Sequence, residues 1–208
     1  MNYLAHLLLS PNDELSRLGN IMGDFMRGIE PEALPPEVWS GILLHRSIDA
    51  YTDSHRVVRS LRKGFSSDRR RFSGVVLDVV FDHFLVKHWS QFSDRGFNSF
   101  VDECYADLWG QRVLMPERME MVIGWMIKRD WIRSYSEIDH VGRALDGLAS
   151  RLKINHDFHG AIEEVNEHYD KIEAGFLAFF PELVRHVERL KDEKNRIKSN
   201  SEQTEIKR

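Results

Sequence analysis

A single cysteine, Cys104, in 208 residues leaves no second sulfur for an internal disulfide. That usage fits a reducing compartment, here expected to be the cytoplasm. Only six prolines occur, three of them within residues 31–36, so no proline-rich linker divides the chain. No apolar run approaches the roughly 20 residues that cross a bilayer, so no membrane association is expected. The short apolar start, MNYLAHLLLS, has neither a basic lead nor a small-residue cleavage site and does not read as a signal peptide. Neither sign of charge dominates: 29 Lys and Arg face 33 Asp and Glu, a net charge of −4. That balance speaks against a general nucleic-acid binder. A Walker loop, a Rossmann glycine pattern, HExxH and paired CxxC are all absent. Cys104 has no nucleophile signature around it, so thiol catalysis is not expected.

With 42% hydrophobic and 30% charged residues, the chain can furnish a sizeable core. Its length favours one domain. Apolar spacing is helical nearly everywhere, which predicts an all-α, single-domain bundle of about seven or eight helices without a sheet. Asn2 is placed to cap a first helix bearing Tyr3, Leu4, Leu7 and Leu8. A turn at residues 10–13 precedes a second helix over 14–27, which Gly28 ends. A third helix opens near Pro36 and runs to about residue 51. Residues 74–89 are apolar on almost every side, the mark of a central helix. Further helices are predicted over about 97–109, 116–134, 137–152 (capped by Ser136) and 156–180, with Pro181 stopping or kinking the last. The domain is expected to span 1–187. Residues 188–208 read as a charged, partly disordered tail.

Polar residues on apolar helical faces mark the candidate chemistry. Asp78 and Asp82 stand four apart on the central helix, with His83 beside them. A buried carboxylate needs a partner, which is either an arginine in a structural salt bridge or a metal. His45 and Asp49 repeat the four-residue spacing on the third helix, flanking Arg46. His6 lies on the first helix, and Asn20, Asp24 and Arg27 on the second. Imidazoles and carboxylates from separate helices suit a hydrolytic divalent ion such as Mn²⁺, Zn²⁺ or Mg²⁺. His156, His159 and Glu163 have metal-compatible spacing too, but their polar surroundings read as a solvated face. Residues 56–71 hold seven cations, Arg56, Arg59, Arg62, Lys63, Arg69, Arg70 and Arg71, against one acid, Asp68. Such a stripe suits an acidic protein partner or is simply solvated. A single aromatic, Phe65, falls within it, so stacking on nucleic-acid bases is not suggested.

MNYLAHL, GNIMGDF, GILLHRSIDAYTD and LDVVFDHFLVKHW, followed by WIRSY and LDGLASRL, resemble the acyl carrier protein phosphodiesterases. The resemblance covers residues 1–185. It implies a helical fold distantly related to the HD metal-dependent phosphohydrolases. It also implies hydrolysis of the phosphodiester joining 4′-phosphopantetheine to the serine of holo acyl carrier protein, an acidic partner, with a divalent ion, Mn²⁺ or Mg²⁺. The implied ligands and catalytic groups are Asp24, His45, Asp49, Asp78, Asp82 and His83. His6 joins them as a ligand, and Arg46 or Arg27 as a phosphate clamp. The Asp82–His83 order reverses that of the HD signature. These residues are expected to converge in one cavity, with the basic stripe on its rim. A hydrolase of a small phosphoester or nucleotide would need the centre without the stripe. A non-catalytic carrier-binding module would need the stripe alone.

Overall fold

The computed structural model describes residues 1–150 and 158–205. Twelve α-helices and no strand occur among them. In order they are α1 (Tyr3–Leu9), α2 (Glu14–Met22), α3 (Pro36–Ser54), α4 (Arg56–Lys63), α5 (Ser73–Lys87), α6 (Trp89–Phe92), α7 (Phe97–Gly110), α8 (Glu117–Lys128), α9 (Trp131–Ser134), α10 (Ile138–Ala149), α11 (Ala161–Glu167) and α12 (Tyr169–Glu205). The all-α expectation holds, with more helices than seven or eight because several predicted elements are divided.

Each division has a local cause. The helix expected over 116–134 breaks at Asp130, whose backbone is left-handed at φ 48°. Aspartate tolerates that conformation as a single residue, and Arg133 ties its carboxylate at 3.2 Å. The second helix stops at Met22 and tightens into one 3-10 turn over Gly23–Phe25. The N-cap of α10 is Glu137, not Ser136. The helix expected over 156–180 is α11 and α12; its first two residues lie outside the described residues. Pro181 does not end α12, which continues to Glu205. A mid-helix proline costs about 3 kcal/mol. Phe176, Phe179, Phe180, Leu183 and Val187 are all buried on either side of it, and each is worth about 1.5–3 kcal/mol. The shared buried face outweighs the proline.

The apolar helix α5 is the centre of the bundle, packed by α1, α4, α10 and α12. Phe81 and Phe84 reach Phe176 with ring centroids 5.5 and 6.0 Å apart, and Phe176 stacks on Phe180 at 5.1 Å. On α7, Cys104 is fully buried, and burial pushes its thiol up to about 12. The pair α2 and α3 packs most closely. A Cβ at Gly19 would run into the backbone carbonyl of Val38, and one at Gly41 into that of Ser16. No helix among the described residues is long and apolar enough to cross a membrane.

The buried carboxylate of Asp82 has a structural partner. Leu4 N–H donates to one of its oxygens at 2.8 Å and Ala5 N–H to the other at 3.1 Å. Asn2 makes no side-chain cap, so the cap of α1 comes from α5 instead. Burial pushes the Asp82 carboxyl up to about 7 against the pull of those two N–H groups. Asp82→Ala would strand two buried donors. Its expected cost is about 1–3 kcal/mol, read as a fall in the urea midpoint with an unchanged slope. A midpoint equal to the parent's would show that the cap is dispensable.

Candidate metal centre

Three helices and the 3-10 turn after α2 bring the centre together. One turn of α3 puts His45 and Asp49 on the same face. From α1, His6 stacks on the His45 ring with centroids 4.2 Å apart. Asp49 is the hub. Its Oδ1 lies 3.2 Å from His6 Nε2 and its Oδ2 3.1 Å from His45 Nε2. His45 Nε2 also faces Asp24 Oδ1 at 3.4 Å. One ligand atom each from His6, His45 and Asp49 fall within 4.8 Å of one another, a group compatible with a divalent metal. The α-amine of Met1 sits between Asp49 at 3.1 Å and Asp78 at 3.0 Å.

The proton on His6 is fixed from behind. Asn20 Nδ2 donates to the His6 carbonyl at 3.0 Å and to Ser10 Oγ at 2.8 Å, so its Oδ1 is the atom facing His6 Nδ1 at 2.8 Å. Assigned from that network, Nδ1 carries the hydrogen and Nε2 a bare lone pair. Nε2 is buried and makes no hydrogen bond among the described residues. It lies 3.2 Å from Asp49 Oδ1, close enough for both atoms to be ligands of one divalent ion. Asn20 thus fixes the His6 tautomer; its sequence signal was its place four residues before Asp24.

The electrostatics agree. Burial lowers the His6 pKa and keeps the ring neutral. For His45 burial acts in the same direction, but Asp24 and Asp49 outweigh it and raise the pKa to about 9. Burial works against ionised Asp49, yet the neighbouring His45 and His6 rings and the Met1 amine hold its carboxyl well below the usual range. Burial also opposes the amine's charge, and Asp78 and Asp49 overcome it to raise the amine to about 10. Asp78 is shifted upward by burial despite the amine beside it.

The family model of acyl carrier protein phosphodiesterases matches residues 1–183. A Serratia proteamaculans protein named acyl carrier protein phosphodiesterase is 35% identical over 186 residues, covering 89% of this chain and 96% of that relative. Two Escherichia coli proteins of the same name, from strains K12 (DH10B) and O7:K1 (IAI39), are each 37% identical over 192 residues, covering 91% of this chain and 98% of each relative. The chain belongs to the acyl carrier protein phosphodiesterase family. No solved structure matches it.

Not every residue that the family resemblance pointed to joins the centre. His6, Asp24, His45 and Asp49 meet there, and Asp78 adjoins through the amine. Asp24 is half exposed at the open side rather than buried. Asp82 is turned to the end of α1, with both oxygens occupied by backbone donors. His83, one residue on, faces a different side of α5. Its Nδ1–H donates to the Tyr135 carbonyl at 2.7 Å, and its Nε2 accepts from the Tyr169 hydroxyl at 2.8 Å. Neither is free to bind a metal at this centre. Arg46 is exposed and lies over the Trp39 ring at 5.3 Å. Within the basic stretch, Arg62 pairs with Asp53 at 3.1 Å, Arg69 with Glu164 at 3.0 Å, and Arg70 donates to the Phe65 carbonyl at 3.3 Å. Arg71 lies over the Phe72 ring. Arg56, Arg59 and Lys63 form no ion pair among the described residues. His159 is exposed, 3.6 Å from Asp146.

Gly23 sets the distance between the 3-10 turn and α3, because a Cβ there would meet the His45 ring itself. Gly23→Ala should lower the affinity for a divalent ion by about tenfold or more, since the ring must leave its ligand geometry. Far-UV circular dichroism should stay unchanged while calorimetric Mn²⁺ titration reads the loss. Parental affinity in this variant would mean that the His45 ring position is not critical.

Proposed function

We propose that this protein hydrolyses the phosphodiester between 4′-phosphopantetheine and the serine of holo acyl carrier protein, giving apo carrier and free 4′-phosphopantetheine. The proposed cofactor is a divalent ion, taken as Mn²⁺ with Mg²⁺ as the alternative, bound by His6, His45 and Asp49. The observation that carries the reading is the His6, His45 and Asp49 ligand atoms gathered within 4.8 Å, with His6 Nε2 buried and making no hydrogen bond, in a chain whose relatives bear that enzyme name. A divalent ion bound there activates water and neutralises charge on the phosphoryl oxygens.

The chain's own groups do the rest. Asn20 holds the His6 proton at Nδ1 and so keeps Nε2 available. Asp49 balances charge on three sides, toward His6, His45 and the Met1 amine. Asp24, at the open edge and 3.4 Å from His45 Nε2, is the carboxylate placed to accept a proton from attacking water. His83 has both ring nitrogens engaged and takes no part as an acid. A module that only binds carriers has no need of two buried histidines gathered on one aspartate, which favours the catalytic reading.

The test is incubation of holo carrier protein with and without Mn²⁺, followed by intact mass. Loss of the prosthetic group with Mn²⁺, abolished by a chelator and by Asp49→Asn, is the expected result. A holo carrier of unchanged mass would refute the proposal.

The pKa of His45 gives a second expectation. Near 9, it leaves the ring protonated at pH 7 in the ion-free protein, so a metal must displace that proton. One displaced proton per ion makes affinity rise about tenfold per pH unit below pH 9. Calorimetry of Mn²⁺ binding in two buffers of different ionisation enthalpy should show about one proton released at pH 7. Zero release would remove His45 from the ligand set.

A further inference from the structure

Beside the metal centre lies a cavity of about 650 Å³ that the chemistry described so far does not use. It is lined by Asp24, Phe25, Val79 and Tyr135 and by residues of α8, α9 and α10, with Asp24 at its open edge. Asp24 thus belongs both to the cavity and to the group around His45. Three arginines line it from exposed positions: Arg118 on α8, Arg129 just after it and Arg143 on α10. None of the three has an ion pair among the described residues. Arg17, Arg62, Arg69, Arg95 and Arg133 pair with carboxylates elsewhere in the molecule. No residue of the basic stretch over 56–71 lines this cavity.

We infer that the cavity receives the 4′-phosphopantetheine arm of the carrier, with its phosphate at the Asp24 end. The inference rests on the phosphodiesterase reading above and names the subsite that holds the group being released. Its volume lies within the roughly 300–1,000 Å³ of sites that enclose small ligands. The arm is amphipathic, with methyl groups, two amides and a hydroxyl. The lining is mixed in the same way, since Val122, Trp131 and Leu148 stand beside Asn2, Ser134 and His140. The arm is attached directly to the carrier's serine, so the carrier surface must sit at the cavity mouth. Unpaired arginines there give an acidic surface and an anionic diester a favourable approach. The arginine mouth, rather than the stripe over 56–71, is then where the carrier docks.

Gly147 makes the test clean. It lines the cavity, and a Cβ there meets no atom within 4 Å, so a larger side chain projects into open space without strain on α10. Gly147→Trp adds bulk at the cavity lining, while Gly147→Ala leaves it open and supports the helix. The first readout is calorimetric binding of 4′-phosphopantetheine to the Mn²⁺-treated full chain and both variants. Binding to the parent and to Gly147→Ala, weakened about tenfold or more by Gly147→Trp, is expected. Equal affinity in all three, or none in the parent, would overturn the inference. The second readout is release of the arm from holo carrier at low salt. Gly147→Trp should lower kcat/KM by about tenfold or more, and Arg118→Glu with Arg143→Glu should raise KM with a smaller effect on kcat. The pair Arg59→Glu and Lys63→Glu should leave both constants near the parent's; a larger loss there than at Arg118 and Arg143 would return docking to the stripe. If the parent binds 4′-phosphopantetheine in this cavity but releases none from holo carrier, the phosphodiesterase reading fails while the cavity assignment stands.

Discussion

The short helix α1 and the central helix α5 solve each other's polar problem. Seven residues are too few to hold a helix in water, and the first N–H groups of α1 have no partner within it. Asp82, on an almost wholly apolar helix, is a carboxylate that burial alone would not tolerate. Joined at 2.8 and 3.1 Å, both are satisfied. What rides on this contact is the position of His6. Two residues after Leu4, its ring stacks on His45 and turns Nε2 to Asp49. The acid that looked most like a ligand in the sequence instead caps α1, the helix that carries His6 into place.

The other side of the centre depends on contact without side chains. At Gly19 and Gly41 the α2 and α3 backbones touch more closely than any Cβ would allow, and Gly23 lets the following turn meet the His45 ring. These approaches fix Asp24 against His45 and Asp49. The centre thus combines one polar anchor with a close helix crossing. Its carboxylates are balanced from within by protonated His45 and the Met1 amine, so they do not force the helices apart.

Much of this was legible in the sequence, for particular reasons. A 3.6-residue apolar period exposed the helices, and the four-residue spacing of His45 and Asp49 put both on one face before any coordinates. The sequence could not say where a polar group finds its partner. The donors to Asp82 lie 77 and 78 residues away, and the partners of His83 are the Tyr135 carbonyl and the Tyr169 hydroxyl. Adjacent in sequence, Asp82 and His83 looked like one unit, yet consecutive helical residues point in different directions. The basic run over 56–71 looked uniform for the same reason, because the acids that occupy Arg62 and Arg69 lie elsewhere in the chain. Arg118, Arg129 and Arg143 are spread over 26 positions of sequence, and only folding makes a cluster of them. Local propensity gives no sign of the break at Asp130, and α12 runs on through Pro181, where propensity allows a stop or a kink.

Cys104 sits at the heart of α7 with no surface exposed and its thiol held protonated to about pH 12. Disulfide exchange proceeds through a thiolate that can reach its target, and this sulfur is neither ionised nor reachable while the chain is folded. An oxidised, disulfide-linked carrier or a free thiol-bearing arm therefore finds no sulfur here to form a mixed disulfide with. The same burial makes Cys104 a clock. Any thiol reagent that labels it reports the opening of the helical core, because reaction must wait for α7 to part from its neighbours.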